Sequence, residues 1–209
     1  MQGQVVHAQF ALGERYEVIR KDLQALKQRG YKPSVIVSDG RASIIKAAKE
    51  VYPHVPLQRC LFHIVHQAKK WLTRNPKTAA AQTLRALVIS LMSVHSSEMA
   101  QAWNDAFDIW QELFMDQVLE RSYTANPNPD SKKWWYTHRN LRRTWRLLKN
   151  AQANLWTFLD YPDTPRTTNS LEGGINAPLK DMIRRHRGWS LSTQQQAIKW
   201  WLFFRNQLH

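Results

Sequence analysis

Three stretches of the sequence carry side chains whose types and spacing suit chemistry. The first is Val35-Ile36-Val37, a short apolar run of the kind expected in a buried strand, closed by Ser38-Asp39-Gly40. A carboxylate at the C-terminal end of such a strand stands where ligands collect in an open α/β sheet, and its oxygens suit a hard cation such as Mg²⁺. The structural alternative is that Asp39 caps a helix beginning near Arg41. The second stretch is Thr167-Thr168-Asn169-Ser170-Leu171-Glu172-Gly173-Gly174. Asn169 and Glu172 have the spacing of a capping box, yet two glycines and Pro178 make poor use of a stabilised helix start. Glycines beside a carboxylate let a backbone or ligand approach closely. Lys180, Arg184 and Arg187 follow at steps of four and three, as on one helix face, with Gly188 suited to end it. A carboxylate followed by a basic face suits metal-assisted phosphodiester chemistry.

The third stretch is Cys60-Leu61-Phe62-His63, with His66 a turn further on. The C-x₂-H spacing is that of a metal half-site, but zinc needs a second pair of ligands, and Cys60 is the only cysteine. His54 and His138 are not specified as partners by any spacing. A nucleophilic Cys/His pair would need a third, orienting group, and none is visible. A buried cysteine beside a hydrogen-bonded histidine is the default reading.

The elements that must position these residues alternate at first. Val5 to Leu12 reads as a strand, Glu14 to Arg29 as a helix ending at Gly30, Val35 to Val37 as a strand, Arg41 to Val51 as a helix and Val55 to Cys60 as a strand. This β-α-β-α-β order predicts an α/β core with helices packed on a sheet. From Leu61 the strands stop. Helices are expected over Leu61–Leu72, Lys77–Val94, Glu98–Glu120 and Ser131–Lys149, with a loop at Asn126–Pro129 and a short segment at Asn154–Leu159. Trp103, Phe107, Trp110 and Phe114 recur at helical spacing, which points to core packing more than to base stacking. A last helix, Ser192 to Leu208, is expected to align Ala197, Trp200, Trp201, Phe204 and Leu208. Residues 1–70 thus read as a partial core, 71–160 as an all-helical insertion and 161–209 as a helical return to the core.

Charge points to the partner. The chain has 30 Lys and Arg against 16 Asp and Glu, a formal +14. Residues 1–130 hold a surplus of 4, whereas residues 131–209, with 14 basic and 4 acidic side chains, hold a surplus of 10. A concentrated positive surplus draws in polyphosphate by counterion release. No stretch approaches the roughly 18 apolar residues of a membrane span, and MQGQVVHAQF lacks the pattern of a secretory signal. A single cysteine suits a reducing cytosol. Cytoplasmic localisation and a nucleic-acid partner are the expectation.

Taken in order, Val35-Ile36-Val37-Ser38-Asp39-Gly40, Gln58-Arg59-Cys60-Leu61-Phe62-His63 and Thr168-Asn169-Ser170-Leu171-Glu172-Gly173 resemble the Mutator-like group of bacterial insertion-sequence transposases. The resemblance runs from about Val5 to Leu208. It implies an incomplete ribonuclease H-like α/β core interrupted by a large all-helical insertion, and a DDE triad in which Asp39 is the second acid and Glu172 the third. It also implies that two Mg²⁺ ions are held by such acids. Cys60, His63 and Asn169 become signature residues near the site, and Lys180, Arg184 and Arg187 contacts to DNA. The implied activity is DNA transposition by metal-dependent cleavage and strand transfer on transposon ends and target, by a homo-oligomer at the bacterial nucleoid. The family's first catalytic Asp lies on an upstream strand, and here nothing acidic precedes Glu14; Glu14 and Glu17 open a helix and are not substitutes. The expectation is a C-terminal portion of a transposase, catalytically feeble alone. The competing expectations are a non-catalytic basic nucleic-acid-binding remnant and a helical module whose Trp-rich surfaces bind a protein.

Overall fold

A computed structural model of the protein describes residues 3–11, 13, 15–125 and 133–207. Helix α1 (Tyr16–Gln28) leads to strand β1 (Ile36–Ser38), helix α2 (Ala42–Val51), strand β2 (Leu57–Arg59) and helix α3 (Leu61–Leu72). Helices α4 (Ala79–Ser90) and α5 (Ser97–Leu119) follow, then strands β3 (Arg121–Tyr123) and β4 (Trp134–Tyr136), and helices α6 (Arg139–Ala151) and α7 (Thr157–Asp160). The chain closes with α8 (Asn169–Leu171), a π-helical turn (Glu172–Asn176), α9 (Ala177–Arg185) and α10 (Leu191–Gln207). The fold is mostly helical with short strands, compatible with the α/β class. It divides into two compact units, one formed by residues 1–56 with 167–209 and the other by Leu57–Arg166.

In the first unit α1 packs on α2, which buries Ala47, Ala48 and Val51. The pair is locked at its edges by polar contacts. The Tyr16 hydroxyl and the Arg20 guanidinium both donate to the Glu50 carboxylate. At the end of α2 the Lys27 ammonium donates to the Val51 carbonyl at 2.7 Å, a cation placed at a helix C-terminus. Helix α1 stops as its sequence demands: the amides of Gly30 and Tyr31 donate to the carbonyls of Lys27 and Leu26, the two bonds of a Schellman motif.

Two expectations for this unit are corrected. Val5 to Ala11 forms no strand, and Leu12 and Glu14 lie outside the described residues. Alternation of side chains specifies an extended backbone, whereas a strand also needs a neighbour's ladder. Here the Asn206 side chain imitates one rung: the Val5 amide donates to its Oδ1 at 3.0 Å and its Nδ2 donates to the Val5 carbonyl at 2.8 Å. Helix α10 also splits the apolar alignment expected of it between exposed and half-buried sides. Trp200 and Phe204 are each 60% exposed, while Ile198, Trp201, Leu202 and Arg205 form the half-buried side. Leu208 lies outside the described residues.

The second unit has a continuous core from α3, α4, α5 and α6. Trp103, Phe107 and Trp110 are buried in it, with Phe114 packed against them, so the aromatic stripe is core as its spacing predicts. Both indole N–H groups are satisfied, Trp103 by the Leu87 carbonyl at 2.8 Å and Trp110 by that of Ala80 at 3.0 Å.

The block is not all-helical. The helix expected over Ser131–Lys149 begins only at Arg139, and Trp134–Tyr136 instead pairs antiparallel with Arg121–Tyr123, Ser122 opposite Trp135. Three successive aromatics prefer a pleated surface, and the Arg121 guanidinium lies 4.2 Å from the Trp134 ring centroid. The loop expected at Asn126–Pro129, with Ser131 and Lys132, lies outside the described residues.

Two measurements test these packings. Phe107→Ala, which empties a fully buried position, is expected to cost about 3–5 kcal/mol in denaturant unfolding. In the first unit the hydrogen bonds from Tyr16 and then Arg20 hold the Glu50 carboxyl below the usual carboxylate range. A depressed folded-state value stabilises above the unfolded pKa, and that contribution fades as pH falls from about 4.3 through the lower folded value. Glu50→Gln is therefore expected to show a shallower loss of melting temperature than the unsubstituted protein across that acid range.

Candidate active site

Asp39 and Glu172, the two acids singled out by sequence, both belong to the first unit. Asp39 follows β1 directly, and Gly40 at φ +88° turns the chain from the strand into α2. That left-handed conformation is one that L residues with a Cβ adopt at a cost. The turn leaves the Asp39 carboxylate facing the start of α2. Its Oδ1 accepts the Arg41 amide at 3.0 Å, and its Oδ2 lies 3.3 Å from the Arg41 Nε. The carboxylate thus organises the helix start while the guanidinium balances its charge, with about a quarter of the side chain still open to solvent at 28%.

Glu172 is placed differently. The alternative, a capping box of Asn169 and Glu172, does not form: Thr168, not Asn169, stands at the N-cap, and the Glu172 amide donates to the Thr168 carbonyl at 2.9 Å. Glu172 then opens the π-helical turn, which the Ala177 amide closes onto the Glu172 carbonyl. Turns of this type occur mostly as single insertions and are frequent at functional sites. The half-buried Glu172 side chain makes no hydrogen bond or ion pair with any described residue. The two following glycines are not forced by backbone angle. A Cβ at Gly173 would meet nothing within 4 Å, and one at Gly174 would sit 3.5 Å from the Arg205 guanidinium, an ordinary contact. The space beside Glu172 is clear at Gly173. Arg205, on α10, was not legible in the sequence, since no spacing links it to Glu172.

The basic residues downstream divide into distinct situations. Lys180 lines an approximately 350 Å³ cavity with Leu171, Ile175 and Leu179 of the same unit. Arg184 is ion-paired within its helix: its Nη2 and that of Arg185 lie 2.8 and 2.7 Å from the two Asp181 oxygens. The hydrogen bond from Arg184, followed by that from Arg185, holds the Asp181 carboxyl low. Helix α9 ends at Arg185 with His186 as its cap, so Arg187 lies beyond the helix and Gly188 is not its terminator. His186 instead stacks on Trp189 at 3.9 Å between ring centroids. Asn169 is the exposed first residue of α8, its amide 3.5 Å from the Thr167 hydroxyl.

The Gln58-Arg59-Cys60-Leu61-Phe62-His63 stretch belongs to the second unit, where most of it is architectural. Gln58 is fully buried and satisfied: its amide nitrogen donates to the Arg59 and Leu155 carbonyls at 2.7 and 3.0 Å, and its oxygen accepts the Phe158 amide at 3.0 Å. Such a buried amide is costly unless paired, and here it ties β2 to the segment around α7. Cys60 is 0% exposed, and its Sγ lies 3.1 Å from the His63 Nδ1. Phe62 stacks on His66 with ring centroids 5.7 Å apart. Cys60 and His63 are brought together as a pair. Among the described residues no three His, Cys, Asp or Glu side chains converge on a metal position.

Comparison with known proteins bears on this arrangement directly. Residues 2–67 match the MULE transposase domain, a span that contains Asp39, Cys60 and His63. The chain is similar to Mutator-like insertion-sequence transposases. A probable transposase for an insertion sequence element from Corynebacterium diphtheriae is 24% identical over 180 residues, covering 84% of this chain and 44% of that protein. The transposase for insertion sequence element IS406 of Burkholderia multivorans is 41% identical over 71 residues, 32% of this chain and 18% of its own length. The chain therefore spans less than half the length of the curated relatives it matches. No solved structure matches.

The two glycines beside the acids are expected to respond in opposite directions. Gly40→Ala should destabilise by about 1–2 kcal/mol, because a Cβ is strained at that backbone angle. Gly173→Ala, in open space at a helical position, should be neutral or stabilising by up to about 1 kcal/mol. Chemical denaturation of both variants checks the pair.

Proposed function

We propose that this chain contributes Asp39 and Glu172 to the active site of a DDE transposase, within an incomplete ribonuclease H-like core that carries residues 71–160 as an insertion. The observation that carries the reading is Glu172: a half-buried carboxylate without a partner among the described residues, on a π-helical turn with clear space beside it. It stands in the same compact unit as Asp39, in a chain similar to insertion-sequence transposases.

The donor set suits Mg²⁺, which takes oxygen ligands and is commonly held by one or two carboxylates together with substrate phosphates. When bound, such ions supply Lewis-acid activation of the attacking oxygen and stabilisation of the leaving one. Asp39 would hold its place through the Arg41 amide and would exchange the guanidinium for the cation. Glu172 is already free to bind. Lys180, Arg184 and Arg187 would contact DNA phosphates, with Arg184 first released from Asp181. Asn169 would keep its supporting element in register near the site, and Cys60 and His63, paired with each other, would hold the start of α3. Two carboxylates do not fill a two-metal site, so the 209 residues by themselves are expected to be catalytically feeble. The assembly we envisage is a homo-oligomer joining transposon ends to target at the nucleoid. No helix among the described residues is long and apolar enough to cross a membrane.

A second reading, a basic nucleic-acid-binding remnant without catalysis, is favoured by one observation, the engagement of Asp39 by Arg41. One comparison separates the two. In a longer protein supplying the remaining acid, Mg²⁺- or Mn²⁺-dependent nicking and joining of element ends is expected, abolished by chelation and by Asp39→Ala or Glu172→Ala. Salt-sensitive DNA binding that survives both substitutions, with no metal-dependent cleavage in the longer protein, would establish the remnant instead.

A further inference from the structure

Helix α6 carries five cations, Arg139, Arg142, Arg143, Arg146 and Lys149, and no acidic residue in its 13 positions. Its Leu141, Thr144, Leu148 and Ala151 are buried in the core of the second unit, which fixes the opposite face outward. Arg142 is used structurally, its guanidinium 3.8 Å from the Tyr136 ring centroid. Arg139, Arg143 and Arg146 are exposed at i, i+4 and i+7, one above another, and none has a hydrogen-bond or ion-pair partner among the described residues. Like charges at these spacings oppose helix formation, whereas an interposed Glu would have favoured it. A polyanion seated on the row would relieve that repulsion.

Beside the row lies a cleft of about 620 Å³ whose walls include Trp71, Thr73, Lys77, His138, Arg139 and Arg143, and whose lining contains no Asp or Glu. Residues 139 to 146 advance about 10 Å along the helix at 1.5 Å per residue, a length over which duplex DNA presents about six phosphate charges. A lipid surface is disfavoured, because a helix bound there exposes an apolar face, and that of α6 is already buried in protein.

We propose that the outer face of α6 and the adjoining cleft form a binding surface for the phosphate backbone of duplex DNA, with Arg139, Arg143, Arg146 and Lys77 as its contacts. The surface lies in the second unit, apart in sequence from Lys180, Arg184 and Arg187, and it binds without reading bases. The proposal rests on the reading of DNA as partner, and its test distinguishes the two.

Fluorescence anisotropy of a 30-bp duplex of arbitrary sequence is measured with the 209-residue chain across a NaCl series. The variants are Arg139→Gln/Arg143→Gln/Arg146→Gln and a control of equal charge change, Lys21→Gln/Arg29→Gln/Lys49→Gln; circular dichroism verifies that both remain folded. The α6 variant is expected to bind at least about 10-fold more weakly and to lose about 2 to 3 from the slope of log affinity against log salt, near 0.9 per phosphate contact. The control should retain the slope. An unchanged slope in the α6 variant, or an equal loss in the control, overturns the surface while leaving DNA as partner. Failure of the unsubstituted chain to bind the duplex overturns both. Displacement of the duplex by poly-glutamate as readily as by unlabelled DNA overturns the assignment to phosphate and points to an acidic protein.

Discussion

The first compact unit exists only because two ends of the chain return to each other across an excursion of about 110 residues. The Asn206 amide, gripping both backbone groups of Val5, is the contact of greatest sequence separation among the described hydrogen bonds, and Gly174 approaches Arg205 from the same helix. Loop closure grows only logarithmically more costly with length, so the excursion is tolerable provided it is compact itself. It is. Residues 57–166 hold a core of their own in which Phe107, Leu84 and Leu148 are fully buried, and Gln58 ties its opening strand to the segment near its end. Asp39 and Glu172, separated by 133 positions, share a unit on account of this arrangement.

The two acids are held in different states. Asp39 is a member of a turn, its charge balanced by Arg41, and its position follows from one glycine in a left-handed conformation. Glu172 has no such tie, and its backbone lies in a helical turn wider than the α-helix on either side. One carboxylate is positioned by the chain and the other is left open. This asymmetry fits a site in which a ligand completes the arrangement, since a free half-buried carboxylate gains little from the fold alone.

The positive surplus is similarly sorted by surroundings. Arg121 and Arg142 lie on aromatic rings of the β3–β4 hairpin, and Arg184 and Arg185 share Asp181. These cations are engaged within the protein. The exposed row on α6 is not neutralised within the described chain, and it sets that helix apart from α9, where an acid answers two arginines. Net charge alone does not make this distinction, because a solvated cation and a paired one count equally in composition.

The sequence by itself determined most of the helices and the character of the core. Periodicity located α1 to α5 within a few residues, Gly30 ended α1 where expected, and the Trp103-to-Phe114 stripe read as core, because all of these depend on local spacing. It also determined the likeness to transposases, through three short motifs in order. What it did not contain were contacts with no local signature. The β3–β4 pairing, the absence of a ladder for Val5–Ala11, the outward turn of Trp200 and Phe204, and the Arg205 neighbour of Gly174 were all decided by tertiary structure. A strand is stabilised by what lies beside it, and an amphipathic face is buried only against a surface that the remainder of the chain provides. The same holds for the acids: spacing nominated Asp39 and Glu172, and only the folded chain left one of them paired and the other free.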